Sequence, residues 1–304
     1  MNCMRCGKKH EITLNYNNER LCGLCFTALF EKRVKKTVRV NKLLSEKKRF
    51  CVAASGGKDS QTTLYILNQI LGANKKMSLT ALSVDEGTGE YRSESISCVK
   101  RLCEKLGVCH EVVSFQDEFG LTLTQFMDKT KTAAGACTVC GVLRRRVVNN
   151  WAKKNKMDCV ATGHNLDDEV QTALMNITRG DSMRIARLGA EVGVKKRRGL
   201  IPRIKPLRDS PEEEVLFYAQ KKDIPHRGGG CPYSQEAYRN TVKEAVNMFE
   251  AKYPGTRFQI QSSMDTLIPI LRRNTPKKKL GECDLCGEPA ASNICKVCEL
   301  MKSV

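Results

Sequence analysis

Sixteen cysteines carry most of the chemistry this chain can offer, and their spacing sorts them. Cys3-x2-Cys6 is followed after fifteen residues by Cys22-x2-Cys25, and Cys283-x2-Cys286 after eight residues by Cys295-x2-Cys298. Two tight turns that each present a thiolate pair can close a tetrahedron around Zn²⁺, so each set predicts one zinc site. The competing reading is unrelated reactive or disulfide-forming pairs, but disulfide scaffolds belong to short secreted chains. Both segments are too small to fold by burial alone, so the metal is expected to supply their stability. A third set, Cys137-x2-Cys140 with the distant Cys231, offers three thiols. Three ligands leave one coordination position open, which separates reactive metal sites from structural ones. The other five, Cys51, Cys98, Cys103, Cys109 and Cys159, lie in apolar surroundings and read as small buried hydrophobes.

Residues 50–60, Phe-Cys-Val-Ala-Ala-Ser-Gly-Gly-Lys-Asp-Ser, carry a second kind of chemistry. A short apolar strand enters a glycine turn and then a helix whose Leu64, Leu67 and Leu71 share one face. Such a unit aims unpaired N–H groups and a positive helix end at one spot, which suits phosphate. It is not a Walker A loop, because Gly57-Lys58 is followed by Asp59 and no glycine stands five residues before Gly57. Two further segments hold candidate groups: Asp85-Glu86-Gly87, and His164-Asn165-Leu166-Asp167-Asp168-Glu169 after Gly163. Asp167 or Asp168 can cap a helix dipole, or hold Mg²⁺ or orient a reacting group. His164, beside these acids, belongs with the nucleotide site.

The elements around them alternate. Strands are expected at 50–54, 79–84, 110–115, 159–162 and 200–207, and helices at 91–106, 138–155, 166–178, 211–222 and 235–251. That alternation predicts an α/β, Rossmann-like parallel sheet with helices on both faces. Ligands of such sheets bind beyond the carboxyl ends of the strands, where the segments above fall. Expected domain limits are 1–30 for the N-terminal zinc unit, 31–48 for a basic helical connector, 49–272 for the catalytic domain, and 273–304 for a linker and the C-terminal zinc unit.

With 304 residues at 41% hydrophobic, the chain can bury a real core. It has no apolar run of about 18 residues to span a membrane. Its first residues lack an apolar signal core, so a cytoplasmic location is expected. A net charge of +19 predicts a polyanionic partner, nucleic acid first. Basic residues gather at 32–48, at Arg144–Lys156, at Arg179–Arg208 including Lys195, Lys196, Arg197 and Arg198, and at Arg272–Lys279. Aromatics at 6% argue against stacking along a single strand and for recognition of a folded RNA by shape and phosphate, with Lys195–Arg198 as contacts.

The Ser55–Ser60 loop resembles the PP-loop of ATP pyrophosphatases. Together with Cys137-x2-Cys140-Gly141, Gly163-His164-Asn165-x-Asp167-Asp168, Cys231-Pro232-Tyr233 and the flanking CxxC pairs, it resembles the TtuA/NcsA branch of tRNA 2-thiouridine synthetases, related to the TtcA enzymes. The resemblance implies an adenine nucleotide alpha hydrolase-like fold. It implies a 4Fe-4S cluster on Cys137, Cys140 and Cys231 with one iron free of protein ligand. ATP with Mg²⁺ would be gripped by Ser55, Gly56, Gly57, Lys58, Asp59 and Ser60. Ala53, Ala54 and Val84 would border the adenosine, with Gly163, His164 and Arg144 also at the nucleotide. Asp168 matches an acid thought catalytic, and Arg144 stands where relatives commonly carry Lys. The expected catalytic set is Cys137, Cys140, Cys231, Asp168 and Arg144.

The implied reaction is adenylation of a uridine C2 oxygen, with pyrophosphate released, then sulfur attack that expels AMP. The sulfur would come from a hydrosulfide on the cluster, or from a persulfide on Cys137 or Cys231. Wobble uridine 34 is the expected target and T-loop uridine 54 the alternative. Expected partners are tRNA, a sulfur source (sulfide or a thiocarboxylated ubiquitin-like carrier) and a second copy in a homodimer. Two rivals remain: another PP-loop enzyme with an amine nucleophile, and a zinc-ribbon RNA-binding protein with a vestigial PP-loop fold.

Overall fold

The computed structural model describes every residue except 131–133, 193–198, 235–237 and 275–280. A small hairpin, β1 (Ile12–Leu14) and β2 (Glu19–Leu21), lies between the cysteine pairs of the N-terminal set. α1 (Gly23–Val40) starts inside the second pair. Phe26, Phe30, Val34 and Val38 recur every fourth position along it and are all buried, so they define one apolar face. The expected division at 30/31 therefore falls within a single helix, which ends at Val40 and not at 48.

The central domain alternates as the pattern predicts. β3 (Arg49–Ala53), α2 (Lys58–Leu71), β4 (Ser78–Asp85), α3 (Glu90–Leu106) and β5 (Cys109–Ser114) come first. Then follow α4 (Phe115–Phe119), α5 (Leu123–Lys129), α6 (Ala136–Lys154), β6 (Cys159–Ala161), α7 (Leu166–Ile177) and α8 (Ser182–Ile185). β7 (Glu191–Val192), β8 (Arg203–Ile204), α9 (Glu212–Lys221), a 3-10 turn (Pro232–Ser234), α10 (Tyr238–Lys252) and α11 (Thr256–Asn274) complete it. The C-terminal unit holds β9 (Gly281–Glu282), β10 (Pro289–Ala290) and α12 (Lys296–Met301).

One six-stranded sheet organises the middle, in the order β5-β4-β3-β6-β8-β7. The first five strands are parallel, and β7 adds an antiparallel edge. Alternate residues of the strands face opposite layers. Phe50, Val52 and Cys159 join a core with α1, α2 and α9, while Cys51, Leu82 and Val160 join one with α6 and the C-terminal unit. Four of the five cysteines read as core residues are buried, but Cys109, at the start of the edge strand β5, is exposed.

Two departures from the expected elements have local causes. The strand expected at 200–207 shrinks to Arg203–Ile204, because Pro202 and Pro206 bracket it and cannot donate to a ladder. α11 carries no apolar stripe to announce it. Its buried positions are Arg257, Gln261, Met264 and Ile268, half of them polar, so the helical period is hidden from a hydrophobicity reading. Most of the linker expected over 273–280 lies outside the described residues. Among those described, no helix is long and apolar enough to cross a membrane.

Candidate active site

The β3–α2 turn forms a cradle. Gly56 has φ +87°, and a Cβ there would come within 2.3 Å of the Ser95 carbonyl oxygen, so only glycine fits. Gly57 stands at the N-cap of α2. The Ser60 hydroxyl accepts from the Ser55 N–H at 3.1 Å and donates to the Gly57 carbonyl at 3.0 Å, which holds the turn closed. Gly163, at the end of β6, abuts this turn: a Cβ on it would sit 2.6 Å from the Ser60 nitrogen. The loop is therefore walled by the next strand end, with Ala53, Ala54 and Val84 at the carboxyl ends of β3 and β4. Helix-start N–H groups converging on one spot are what a triphosphate requires.

A charged network lines the same wall. Lys58 Nζ lies 3.0 Å from both Asp59 and Glu212, and Glu212 also accepts from Lys243 at 2.8 Å. Asn165 donates to Asp59 at 2.9 Å and forms a capping box with Asp168 at the start of α7. Asp168 pairs with Arg239 at 3.2 Å. Burial raises the carboxyls of Asp59 and Asp168 above the ordinary range, opposed by Lys58 at the first and Arg239 at the second. Asp168 thus caps its helix and also belongs to the site. Asp167 instead pairs with Arg257 at 3.0 Å and accepts from the Glu212 N–H, which braces α9 and α11. The His164 ring is open to solvent on one side and enclosed by protein on the other. That enclosure, then the cations Lys205, Arg239, Arg203 and Arg144, hold the imidazole well below its ordinary pKa, so it is neutral at pH 7.

The cysteines sit beside this cradle. Cys137 and Cys140 occupy the first turns of α6, Cys137 exposed and Cys140 only 7% exposed. The Cys137 thiol donates to the Tyr233 carbonyl at 3.1 Å, two residues past Cys231. Cys231 interacts electrostatically with Cys137 and Cys140, so the three thiols share one locality. Burial raises the thiols of both Cys137 and Cys140, and Arg144 opposes it in each. Arg144, one turn beyond Cys140, donates to its sulfur at 3.1 Å.

One connection joins the two halves and was not legible beforehand. Arg144 Nε lies 3.2 Å from Glu86 Oε1, and Glu86 Oε2 lies 3.0 Å from Arg92 Nε. Arg92 in turn donates to the Ser55 carbonyl at 2.8 Å. A line of contacts thus runs from the Cys140 sulfur to the phosphate loop. In the sequence Glu86 stands only as part of a strand-end segment, and nothing there marks Arg92. A polar residue on a helix reads as solvent-facing, yet Arg92 is 5% exposed. Asn165 belongs to a candidate segment of the sequence, whereas no sequence signal points to Glu212, Arg239 or Lys243.

The terminal cysteine sets each bring four sulfurs within 4.8 Å of one another. Cys6 and Cys22 are 3.5 Å apart, and Cys286 and Cys295 3.7 Å. Backbone N–H groups, first that of Cys295, pull the Cys283 thiol down to about 6, while burial and the neighbouring thiols push Cys298 up. Among the described residues no other group of three or more His, Cys, Asp or Glu is so tight. The Cys137–Cys140–Cys231 donor set is therefore wider than a single-ion cage, and an all-thiol set of three fits an iron–sulfur cluster.

The basic runs divide. Lys195–Arg198 lie outside the described residues. Part of the remainder is engaged internally with acids from other elements. Arg33 pairs with Glu214 at 2.6 Å, Arg208 with Asp265 at 2.7 Å and Lys153 with Glu288 at 2.7 Å. Arg145 and Arg203 differ: among the described residues neither pairs with a carboxylate, and Arg203 donates to the Arg145 carbonyl at 3.2 Å. Burial and then Arg145 push Arg203 down to about 10. These cations stand next to the cysteine helix with their charge unspent.

A parallel sheet with a glycine cradle at the β3–α2 turn defines a nucleotide-binding PP-loop protein, and residues 27–249 match the PP-loop domain family. The NcsA tRNA 2-thiolation protein of Haloferax volcanii is 36% identical over 318 residues, covering 100% of this chain and 99% of that one. Cytoplasmic tRNA 2-thiolation protein 1 of Aspergillus niger is 32% identical over 99% of this chain and 88% of its own. The solved U34-tRNA thiolase NcsA of Methanococcus maripaludis, determined with its 4Fe-4S cluster, superposes with a TM-score of 0.86 at 32% identity, covering 100% of this chain and 96% of that one. The chain belongs to this family of tRNA 2-thiolation sulfurtransferases.

Proposed function

We propose that this protein 2-thiolates a tRNA uridine in the cytoplasm, most simply the wobble uridine 34 named for its solved relative, with T-loop uridine 54 as the alternative. The observation that carries the reading is the contact line from Cys140 through Arg144, Glu86 and Arg92 to Ser55, because it links the thiol helix directly to the phosphate loop.

The uridine C2 carbonyl is a weak electrophile with a poor leaving group. Its oxygen attacks the α-phosphorus of ATP and pyrophosphate leaves. A sulfur nucleophile then attacks C2, and the C2–O bond breaks to release AMP. The N-terminus of α2 and Lys58 would hold the phosphates, and Asp59 and Asp168 would supply carboxylates for the Mg²⁺ that accompanies ATP. Arg144 stays charged and serves as a fixed cation against the developing phosphate charge, not as a proton carrier. Cys137, Cys140 and Cys231 would hold a 4Fe-4S cluster, which supplies an iron open to a sulfur ligand. Zinc would occupy each terminal tetrathiolate. Arg145 and Arg203 offer unpaired charge for RNA phosphates beside the entering base, alongside Lys195–Arg198. The homodimer and the sulfur donor follow from the family resemblance alone.

Nucleoside mass spectrometry on tRNA incubated with anaerobically purified protein, ATP and sulfide tests the reading. The wild type is expected to yield 2-thiouridine, AMP and pyrophosphate, and Cys140→Ala to lose thiolation at least about a thousandfold while still binding tRNA. Full activity in iron-free protein with sulfide as the sulfur source would remove the cluster and leave direct attack of hydrosulfide on the activated C2. Activity of that protein only with a sulfane-sulfur donor, such as a persulfide-loaded carrier, would leave a persulfide on Cys137 or Cys231.

A further inference from the structure

Glu86 is 5% exposed and is the carboxylate placed between Arg144 and Arg92, one oxygen facing each. Its backbone is pinned on both sides. The Glu86 carbonyl accepts from the Leu123 N–H at 2.7 Å, at the start of α5. Asp85 accepts from the Gly87 N–H at 2.9 Å. Gly87 has φ +70°, and a Cβ on it would meet the Thr122 side chain at 2.5 Å. The same α5 start reaches the cysteine side, since Thr124 and Tyr233 share a hydroxyl contact at 3.1 Å. The carboxylate is therefore delivered to a fixed point by a segment that cannot drift. The Arg92 contact is an ion pair and not an aligned hydrogen bond, since Arg92 Nε–H has no aligned acceptor. Charge, not a directional bond, holds Arg92 there. One buried carboxylate balances a buried guanidinium, Arg92, and a half-exposed one, Arg144, so moving either guanidinium shifts the carboxylate that the other faces.

We propose that Glu86 is a positioning residue that fixes Arg144 at the cysteine set and Arg92 at the phosphate loop as one unit, so that the sulfur site and the ATP site are set together. The proposal rests on the function proposed above. It differs from a merely structural role, in which Glu86 neutralises a buried Arg92 and nothing else. A structural role predicts lower stability of Glu86→Gln with ATP affinity and cluster environment unchanged. A positioning role predicts that what binds at one end is read at the other.

The test uses the full-length, iron-loaded protein under anaerobic conditions. In the wild type, a non-hydrolysable ATP analogue changes the visible circular dichroism of the cluster. In Glu86→Gln iron is retained, the analogue no longer changes the spectrum, KM for ATP rises about tenfold and kcat falls about tenfold. Glu86→Asp, which keeps the charge on a shorter arm, recovers part of both. Combining Glu86→Gln with Arg144→Lys costs little more than the worse single change, because the two act through one unit. The proposal is overturned if the analogue alters the cluster spectrum equally in wild type and Glu86→Gln, or if the two substitutions multiply. If Glu86→Gln does not fold, Arg92→Gln breaks the same line from the phosphate side, and an unaltered spectral response in that variant overturns the proposal too. Wild type that makes no 2-thiouridine, yet shows the analogue response, defeats the reaction assigned here and leaves the linkage standing.

Discussion

The two tetrathiol units have the same donors and opposite attachments. The N-terminal set is fused to the main core: Cys3 and Cys22 lie in one apolar cluster with Phe26, Phe30 and Tyr218. α1 emerges from its second pair and stacks Phe30 on Tyr218 at 4.5 Å and Phe26 against Phe217 at 4.9 Å. The C-terminal set is seated on α6, the helix that carries Cys137 and Cys140. Ala290, Val297 and Leu300 join one cluster with Val139, Cys140 and Leu143. Arg146 donates to the sulfurs of Cys286 and Cys295 at 3.4 and 3.1 Å. The same tetrathiol arrangement therefore adjoins the main core at one end and, at the other, the helix that carries Cys137 and Cys140.

The largest effect belongs to the N-terminal set. Cys22→Ser removes one thiol of the proposed zinc site at the point where α1 begins, and α1 covers the face shared by α2 and α9. Structural zinc contributes folding free energy directly, so the midpoint of thermal unfolding is expected to fall by about 10 °C or more. Differential scanning calorimetry of the purified variant measures it. A midpoint within about 2 °C of the wild type would mean that α1 holds its place by apolar packing alone.

How much of this was open to sequence reading depended on how local the signal was. The phosphate loop was legible because Ser55–Ser60 needs only its own turn, and both terminal sets because each tetrahedron closes within a short segment. The five parallel strands followed from runs such as Phe50–Ala53, with Pro202 and Pro206 trimming the last. The boundary at residue 30 divides α1 because the first two CxxC pairs read as a self-contained unit, whereas the Phe26–Phe30–Val34–Val38 face continues through it. α11 was hidden because Arg257 and Gln261, buried through partners on other elements, break its apolar period. Glu86, Arg92 and Arg144 meet only once β4, α3 and α6 are packed, and no spacing rule announces that.

A middle-sized effect separates the ends. Cys295→Ser should lower the unfolding midpoint by only a few degrees, since the sheet and α1 do not depend on it. Its consequence should appear at α6, as roughly tenfold lower thiolation, the size expected when support behind a metal ligand is lost. Iron content and product formation, measured on the same preparation as the calorimetry, check it. Equal losses of stability in Cys22→Ser and Cys295→Ser would erase the distinction between scaffold and backing.

The smallest effect is the most specific. Arg146→Ala keeps all four C-terminal thiols and removes only the cation that donates to two of them. Charge-assisted hydrogen bonds contribute about 1–2 kcal/mol where one partner is partly open to water. The C-terminal metal should therefore be lost to a chelator at roughly tenfold lower chelator concentration, with the N-terminal metal unmoved. A chelator titration followed by metal release in two steps resolves the sites. If both steps move together, Arg146 acts through the whole fold. If only the C-terminal step moves, and thiolation falls with it, then α6 transmits the state of that zinc unit to Cys140, two turns away on the same helix.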